Sequence, residues 1–116
     1  MINEGGIVQF PIESTKIQSI KNIKEFNEII TNKSNIVIVE LYTPWCSKCK
    51  KLEANIQSAK LDHIIYKINI DADPFIDDTR FEEIKSLPCI WIYKNNKRID
   101  VLYDDHIAQI KKFNIL

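Results

Sequence analysis

The apolar run at residues 36–42 constrains the fold more than any other feature of the sequence. It reads Ile-Val-Ile-Val-Glu-Leu-Tyr, is rich in β-branched residues and is interrupted only by Glu40. Such runs are typical of a central strand that is covered on both faces. Thr43-Pro44 ends the strand, because the residue before a proline avoids the helical region. A chain built around such a strand needs a layer of helices on each side.

The apolar spacing in the rest of the chain supplies those helices and the remaining strands. Residues 17–20, 64–70, 89–93 and 99–103 read as strands, the last two joined by a hairpin turn at residues 94–97. Helical spacing predicts four helices. Their marker residues are Ile23, Phe26, Ile29 and Ile30; Cys49, Leu52, Ile56 and Ala59; Ile76, Arg80, Phe81 and Ile84; and Ile107, Ile110 and Phe113 after a cap at Asp104 or Asp105.

The predicted order is β-α-β-α-β-α-β-β-α, which indicates an α/β fold with a central mixed sheet and helices on both faces. Residues 1–16 show no clear period and are interpreted as an N-terminal extension, so the domain comprises residues 17–116. Glycine occurs only at positions 5 and 6. Tight turns in the body of the domain must therefore use Asn, Asp, Ser or Pro.

Charge and composition exclude several classes of function. Sixteen basic residues balance sixteen acidic ones, which argues against nucleic acid or an anionic membrane as the main partner. No apolar stretch approaches the ~20 residues that span a bilayer, and the start of the chain lacks the pattern of a secretory signal. Three cysteines, two of them close together, do not suggest a secreted disulfide framework. We therefore expect a cytoplasmic monomer.

The closely spaced cysteines are Cys46 and Cys49, at the predicted start of the helix after the central strand. Thiol–disulfide exchange needs one thiolate to attack and a second thiol to resolve the mixed disulfide, and two cysteines separated by two residues provide both. A helix start favours the thiolate of the first cysteine. Two other interpretations remain open here. The pair is also half of a zinc site, with only Cys89, His63 and His106 as further ligands, or it is incidental.

Three segments resemble the thioredoxin family, in family order and over nearly the whole chain from about residue 17. Residues 37–50, Val-Ile-Val-Glu-Leu-Tyr-Thr-Pro-Trp-Cys-Ser-Lys-Cys-Lys, resemble its active-site strand and helix. Residues 66–71 resemble its third strand, and residues 86–95, which begin Ser-Leu-Pro-Cys, resemble its cis-proline loop and the following strand. The resemblance implies a thioredoxin-like fold.

The resemblance also implies roles for individual residues. Trp45 would shield the cysteine pair and line the substrate surface. Pro88 would be cis, and its loop with Leu87 would offer backbone hydrogen bonds to a bound peptide. Glu40 matches a buried acid behind the resolving cysteine, and Lys67 matches a lysine near that acid. Independently of the family, a carboxylate within so apolar a strand should have a raised pKa and exchange protons with Cys49.

The sequence departs from the family between the two cysteines, where Ser47-Lys48 replaces the usual Gly-Pro. Lys48 favours the thiolate electrostatically, and we therefore expect the disulfide of this protein to be more oxidising than that of reductive family members. Cys89 after the proline is interpreted as a buried strand thiol, with a third redox-active sulfur as the alternative.

The predicted function is thiol–disulfide exchange on protein substrates, as a reductant supplied with electrons by a disulfide reductase or a dithiol. No metal or organic cofactor is expected. The alternatives are an oxidant or isomerase of disulfides, and an interaction module whose redox activity is incidental.

Overall fold

A computed structural model describes residues 16–32, 35–59, 61, 63–103 and 109–110, and these form one mixed sheet of five strands with helices. The strands are β1 (Ile17–Ser19), β2 (Val37–Tyr42), β3 (Ile65–Asn69), β4 (Cys89–Lys94) and β5 (Lys97–Tyr103). Across the sheet the strand order is β1-β3-β2-β4-β5. Strand β3 runs parallel to both β1 and β2, whereas β4 is antiparallel to β2 and to β5. This is the predicted mixed α/β sheet, with β2 at its centre.

The helices are α1 (Ile23–Asn32), α2 (Ser47–Ala59) and the single turn α3 (Asp73–Ile76), followed by a 3₁₀ turn at Thr79–Glu83. The predicted element order is therefore confirmed as far as β5. Of the predicted last helix, residues 109 and 110 are described and are helical, while its proposed caps lie outside the described residues, as do residues 1–15 of the predicted extension. Among the described helices, none is long and apolar enough to cross a membrane.

The prediction of one helix spanning Ile76 to Ile84 is wrong, because two short turns replace it. Pro74 lies in the first turn of α3, where its missing N–H costs nothing, and the helix ends after one turn at Asp77. A new turn begins when the Asp78 carboxylate accepts a hydrogen bond from the Arg80 backbone N–H at 2.9 Å. The buried side chains of this region are consequently Phe75 and Phe81, and Ile76 is exposed.

Strand β2 sends alternate side chains into two separate core layers, as its period of two predicts. Val37, Val39 and Leu41 pack into an aromatic layer with α1, α3 and the 3₁₀ turn, which contains Phe26, Phe75, Phe81, Trp91 and Tyr93. Ile38 packs on the other face against α2, with Leu52, Ile56, Ile65, Ile90 and Ile92. Glu40 has the parity of Ile38 and is therefore placed on the α2 side of the sheet.

The β4–β5 hairpin turns through Asn95 and Asn96, whose φ angles are 53° and 65°. Two consecutive positive φ values are the signature of a type I′ turn, which matches the twist of a hairpin. Asparagine is among the few residues other than glycine that adopt this conformation readily. The chain thus makes its tightest hairpin without glycine, as predicted.

Candidate active site

The two cysteines lie at the junction between β2 and α2. After β2 the chain turns through Thr43 and Pro44, and the Cys46 backbone N–H donates to the Thr43 carbonyl at 3.2 Å. Helix α2 begins at Ser47, which places Cys46 at its N-cap and Cys49 in its first turn. The two side chains form a disulfide with their Cα atoms 5.3 Å apart. The predicted redox pair is therefore brought together in its oxidised form.

The sulfur of Cys46 occupies the position of a capping oxygen. The Cys49 backbone N–H donates to Cys46 Sγ at 3.1 Å, as the N–H at the third position of a helix does to an N-cap side chain. In the reduced protein, this donor and the positive end of α2 favour a thiolate at Cys46.

The cysteines differ in how far they reach the surface. Cys46 is 8% exposed and lines a groove, whereas Cys49 is 1% exposed on the buried side of α2. An incoming disulfide can therefore meet the sulfur of Cys46 but not that of Cys49 without a rearrangement. Such an asymmetry suits one cysteine that attacks and a second that resolves the mixed disulfide.

The groove beside Cys46 has a volume of about 420 Å³. Trp45 lines it; this residue is 72% exposed, and its indole N–H donates to Asp71 Oδ2 at 2.9 Å. Trp45 follows β2 and Asp71 follows β3; since these strands are parallel neighbours, their carboxyl ends meet at one edge of the sheet. Asp71 was not among the predicted site residues, although the meeting of parallel strands at their carboxyl ends would have indicated it.

The loop before β4 also lines the groove. It contributes Lys85, Ser86 and Leu87, and the next residue, Pro88, is buried. The Leu87–Pro88 peptide bond is cis, as the resemblance implies. Trp45, Cys46 and Leu87 are therefore assembled around one concave surface, although they come from two separate segments of the chain.

Glu40 is completely buried on the α2 side of the sheet. Its side chain has no solvent exposure, and neither carboxyl oxygen has a hydrogen-bond partner among the described residues. Burial raises the pKa of Glu40 to about 8, the nearby Glu53 carboxylate also raises this pKa, and the Lys67 ammonium opposes both effects. The burial and raised pKa expected for Glu40 are thus present in the structure.

Lys67 lies directly opposite Glu40 in the β2–β3 register, but its ammonium pairs with another acid. Lys67 Nζ is 3.2 Å from Glu53 Oε1 and 4.9 Å from the centre of the Tyr42 ring. Glu53 was not among the site residues predicted from the sequence. Its position four residues after Cys49 places it on the same face of α2, which is the signal that would have found it.

The two other candidate residues are Lys48 and Cys89. Lys48 is exposed in the first turn of α2. Cys89 is a free thiol with no exposed surface in the aromatic layer, on the face of the sheet opposite Glu40. Burial raises the pKa of Cys89 to about 11, which leaves little thiolate at neutral pH. Across the described residues, no three His, Cys, Asp or Glu side chains are grouped to hold a metal ion.

The family profile for thioredoxin matches residues 17–113, which include every element of this site. The chain belongs to the thioredoxin family. Thioredoxin AMT13 of Alternaria alternata is 30% identical over 90 residues, covering 75% of each chain. Thioredoxin 1 of Plasmodium falciparum is 26% identical over 97 residues, covering 83% of this chain and 92% of its own.

Solved structures show the same fold. The short form of spinach chloroplast thioredoxin f superposes with a TM-score of 0.72 at 16% identity, covering 90% of this chain and 97% of the spinach chain. With family, fold and a disulfide-bonded Cys46–Cys49 pair in agreement, this thioredoxin is a thiol–disulfide oxidoreductase.

Proposed function

We propose that this thioredoxin reduces disulfides in protein substrates, with Cys46 as the attacking and Cys49 as the resolving thiol. The observation that carries the proposal is the asymmetry of the pair: Cys46 lines the groove and its sulfur accepts an N–H hydrogen bond, whereas Cys49 is almost completely buried. A protein substrate fits this site because the groove is open and is bordered by an exposed indole and a loop backbone.

The exchange takes place in two steps. The Cys46 thiolate attacks one substrate sulfur, which forms a mixed disulfide and releases the other substrate sulfur as a thiolate. Cys49 then loses its proton and attacks the Cys46 sulfur, which forms the Cys46–Cys49 disulfide and releases the second substrate thiolate. Two electrons pass from the protein dithiol to the substrate, and the released thiolates take protons from water.

Glu40 is the base of the second step in this proposal. Its pKa of about 8 is far closer to that of a thiol than an ordinary carboxyl pKa is, so that transfer of the Cys49 proton to this carboxylate is less uphill than transfer to an ordinary one. In the return reaction the Glu40 carboxyl gives its proton to the departing Cys49 sulfur. A base with an ordinary, unshifted carboxyl pKa would leave this transfer strongly uphill.

Trp45 and the loop at Leu87 and Pro88 hold the substrate in this proposal. The indole, fixed by its hydrogen bond to Asp71, presents a flat apolar face beside the reacting sulfur. The loop presents backbone groups across the groove. The electron donor is a disulfide reductase or a small dithiol, and we propose that the protein acts in the cytoplasm as a monomer.

One observation favours a second candidate, an oxidant or isomerase of disulfides. Lys48 lies between the cysteines in the first turn of α2, where its positive charge adds to the helix dipole and stabilises the Cys46 thiolate. Stabilising the thiolate stabilises the reduced protein and makes its disulfide a stronger oxidant. The reduction potential separates the two candidates.

Reduction of insulin by dithiothreitol tests the proposed function. The wild-type protein is expected to accelerate it, the Cys46→Ser variant to lose the activity, and the matched Cys89→Ser variant to retain it. Equilibration with a glutathione buffer then gives the potential of the couple. A value near the thioredoxin value of about −270 mV supports a reductant, and one near about −180 mV supports an isomerase. Equal activity in the wild type and Cys46→Ser would refute the proposal in either form.

A further inference from the structure

Three ionisable side chains, Glu40, Glu53 and Lys67, interact on the α2 side of the sheet, but only Glu53 and Lys67 form an ion pair. Lys67 is the direct neighbour of Glu40 across the β2–β3 ladder, so the two side chains leave the sheet on the same side. The Lys67 ammonium nevertheless lies 3.2 Å from Glu53, and both oxygens of Glu40 are left without a hydrogen bond among the described residues. Among the described residues, the cation that acts on Glu40 is thus paired with the second acid, Glu53.

The charged groups around Glu40 come from two elements. Helix α2 contributes Glu53, one turn after Cys49, and β3 contributes Lys67. Within β2, the neighbour on the same face is Tyr42, whose ring lies under the Lys67 ammonium. Strand β4 places the uncharged Ile90 opposite Glu40. Among the described residues, therefore, the electrostatic environment of Glu40 depends on how Glu53 and Lys67 are arranged.

We propose that Glu53 is a positioning residue for disulfide exchange, because its carboxylate holds the Lys67 ammonium away from Glu40 and so keeps Glu40 able to exchange a proton with Cys49. This inference rests on the proposed role of Glu40 as the base. Glu53 is proposed to act through Lys67 and Glu40, without contacting the substrate or the sulfurs.

The preference of the Lys67 ammonium for Glu53 over Glu40 follows from the burial of the three groups. The Glu53 and Lys67 side chains are 24% and 23% exposed, so their ion pair remains partly solvated, whereas Glu40 has no exposure. A cation is therefore held at lower desolvation cost by Glu53 than by Glu40. If Glu53 is neutral, Lys67 has no other acid in this cluster and its field acts on Glu40 without opposition. Glu40 is then ionised at lower pH and becomes a weaker base for the Cys49 thiol.

Carbon-13 NMR of the Glu40 carboxyl group in the oxidised protein tests the inference without relying on activity. In Glu53→Gln, the midpoint of the Glu40 titration is expected to fall by about 1 unit or more relative to the wild type. Lys67→Gln is expected to move it in the opposite direction. The matched control is Glu28→Gln, on the exposed face of α1, which should leave the midpoint unchanged. A Glu40 midpoint that is unchanged or raised in Glu53→Gln would overturn the inference.

Kinetics separate this inference from the proposed function. The pH profile of the resolution step, followed by quenching the mixed disulfide, should move to lower pH in Glu53→Gln. It should show no further change when Glu53→Gln is added to Glu40→Gln. If Glu40→Gln alone leaves resolution unchanged, the proposed role of Glu40 is refuted. If Glu40→Gln slows resolution while Glu53→Gln shifts neither the titration nor the profile, only the role of Glu53 is refuted.

Discussion

Replacing Glu40 by glutamine should change how the stability of the oxidised protein depends on pH. In the folded state the pKa of Glu40 is raised from 4.5 to about 8, chiefly by burial. Between these two pH values the folded chain keeps a proton that the unfolded chain has lost. Unfolding then releases a proton, so the free energy of unfolding falls as pH rises from about 4.5 to about 8.

The size of the effect follows from the shift. Each pKa unit is worth about 1.4 kcal/mol, so the wild type should lose about 3 kcal/mol between pH 5 and pH 8 through Glu40 alone. This loss of stability is absent in the Glu40→Gln variant, because a glutamine side chain does not titrate. Its buried amide has no partner in place and costs about 1–3 kcal/mol, but that cost is the same at both pH values.

Urea denaturation at pH 5 and pH 8 measures the difference directly. The wild type and an exposed-site control, Glu28→Gln, should both weaken over this interval by about 3 kcal/mol more than Glu40→Gln does. The comparison is made on the disulfide form, because the structure describes that state. If Glu40→Gln and the wild type lose equal stability between the two pH values, then Glu40 is ionised in the folded protein and the argument from burial is wrong.

Two further predictions concern the groove and its sulfur. Limiting iodoacetamide should label Cys46 first in the reduced protein, because Cys46 is the most exposed of the three cysteines and its sulfur accepts an N–H hydrogen bond. Mass spectrometry identifies the labelled residue. First labelling at Cys49 or Cys89 would contradict the prediction. Asp71→Ala should raise the KM for insulin by up to about fivefold, the equivalent of about 1 kcal/mol, because the Trp45 indole loses its hydrogen bond. An unchanged KM would show that Trp45 is oriented without Asp71.

The sequence predicted those parts of the fold that depend on strong periodicity. The apolar run of β2 and the buried stripe of α2 are long enough to define a strand and a helix, and the chemistry of Cys46 and Cys49 follows from their spacing at that junction. The two faces of β2 were also predictable, since side chains alternate along a strand. These features are local, and a single sequence contains all the information they need.

Features that depend on contacts between distant segments were not predictable in the same way. A glutamate on a helix surface has the same pattern whether it is solvated or paired, so nothing in α2 alone indicates that Glu53 binds Lys67, 14 residues later. The break between α3 and the 3₁₀ turn depends on Asp78 capping a new turn, and the apolar spacing around it also suits one continuous helix. The hydrogen bond from Trp45 to Asp71 joins residues 26 positions apart, and it can be predicted only if the order of the strands in the sheet is known.

The alternation of β2 between two core layers limits how the chain can change in length. Deleting or inserting one residue inside Val37–Tyr42 would exchange the two faces of the strand on one side of the change. Where Glu40 falls on that side, it would be carried from the α2 layer into the aromatic layer, away from Cys49 and Lys67. Substitutions within β2 can therefore adjust the surroundings of Glu40, whereas a one-residue change of length that shifts Glu40 moves it out of the α2 layer.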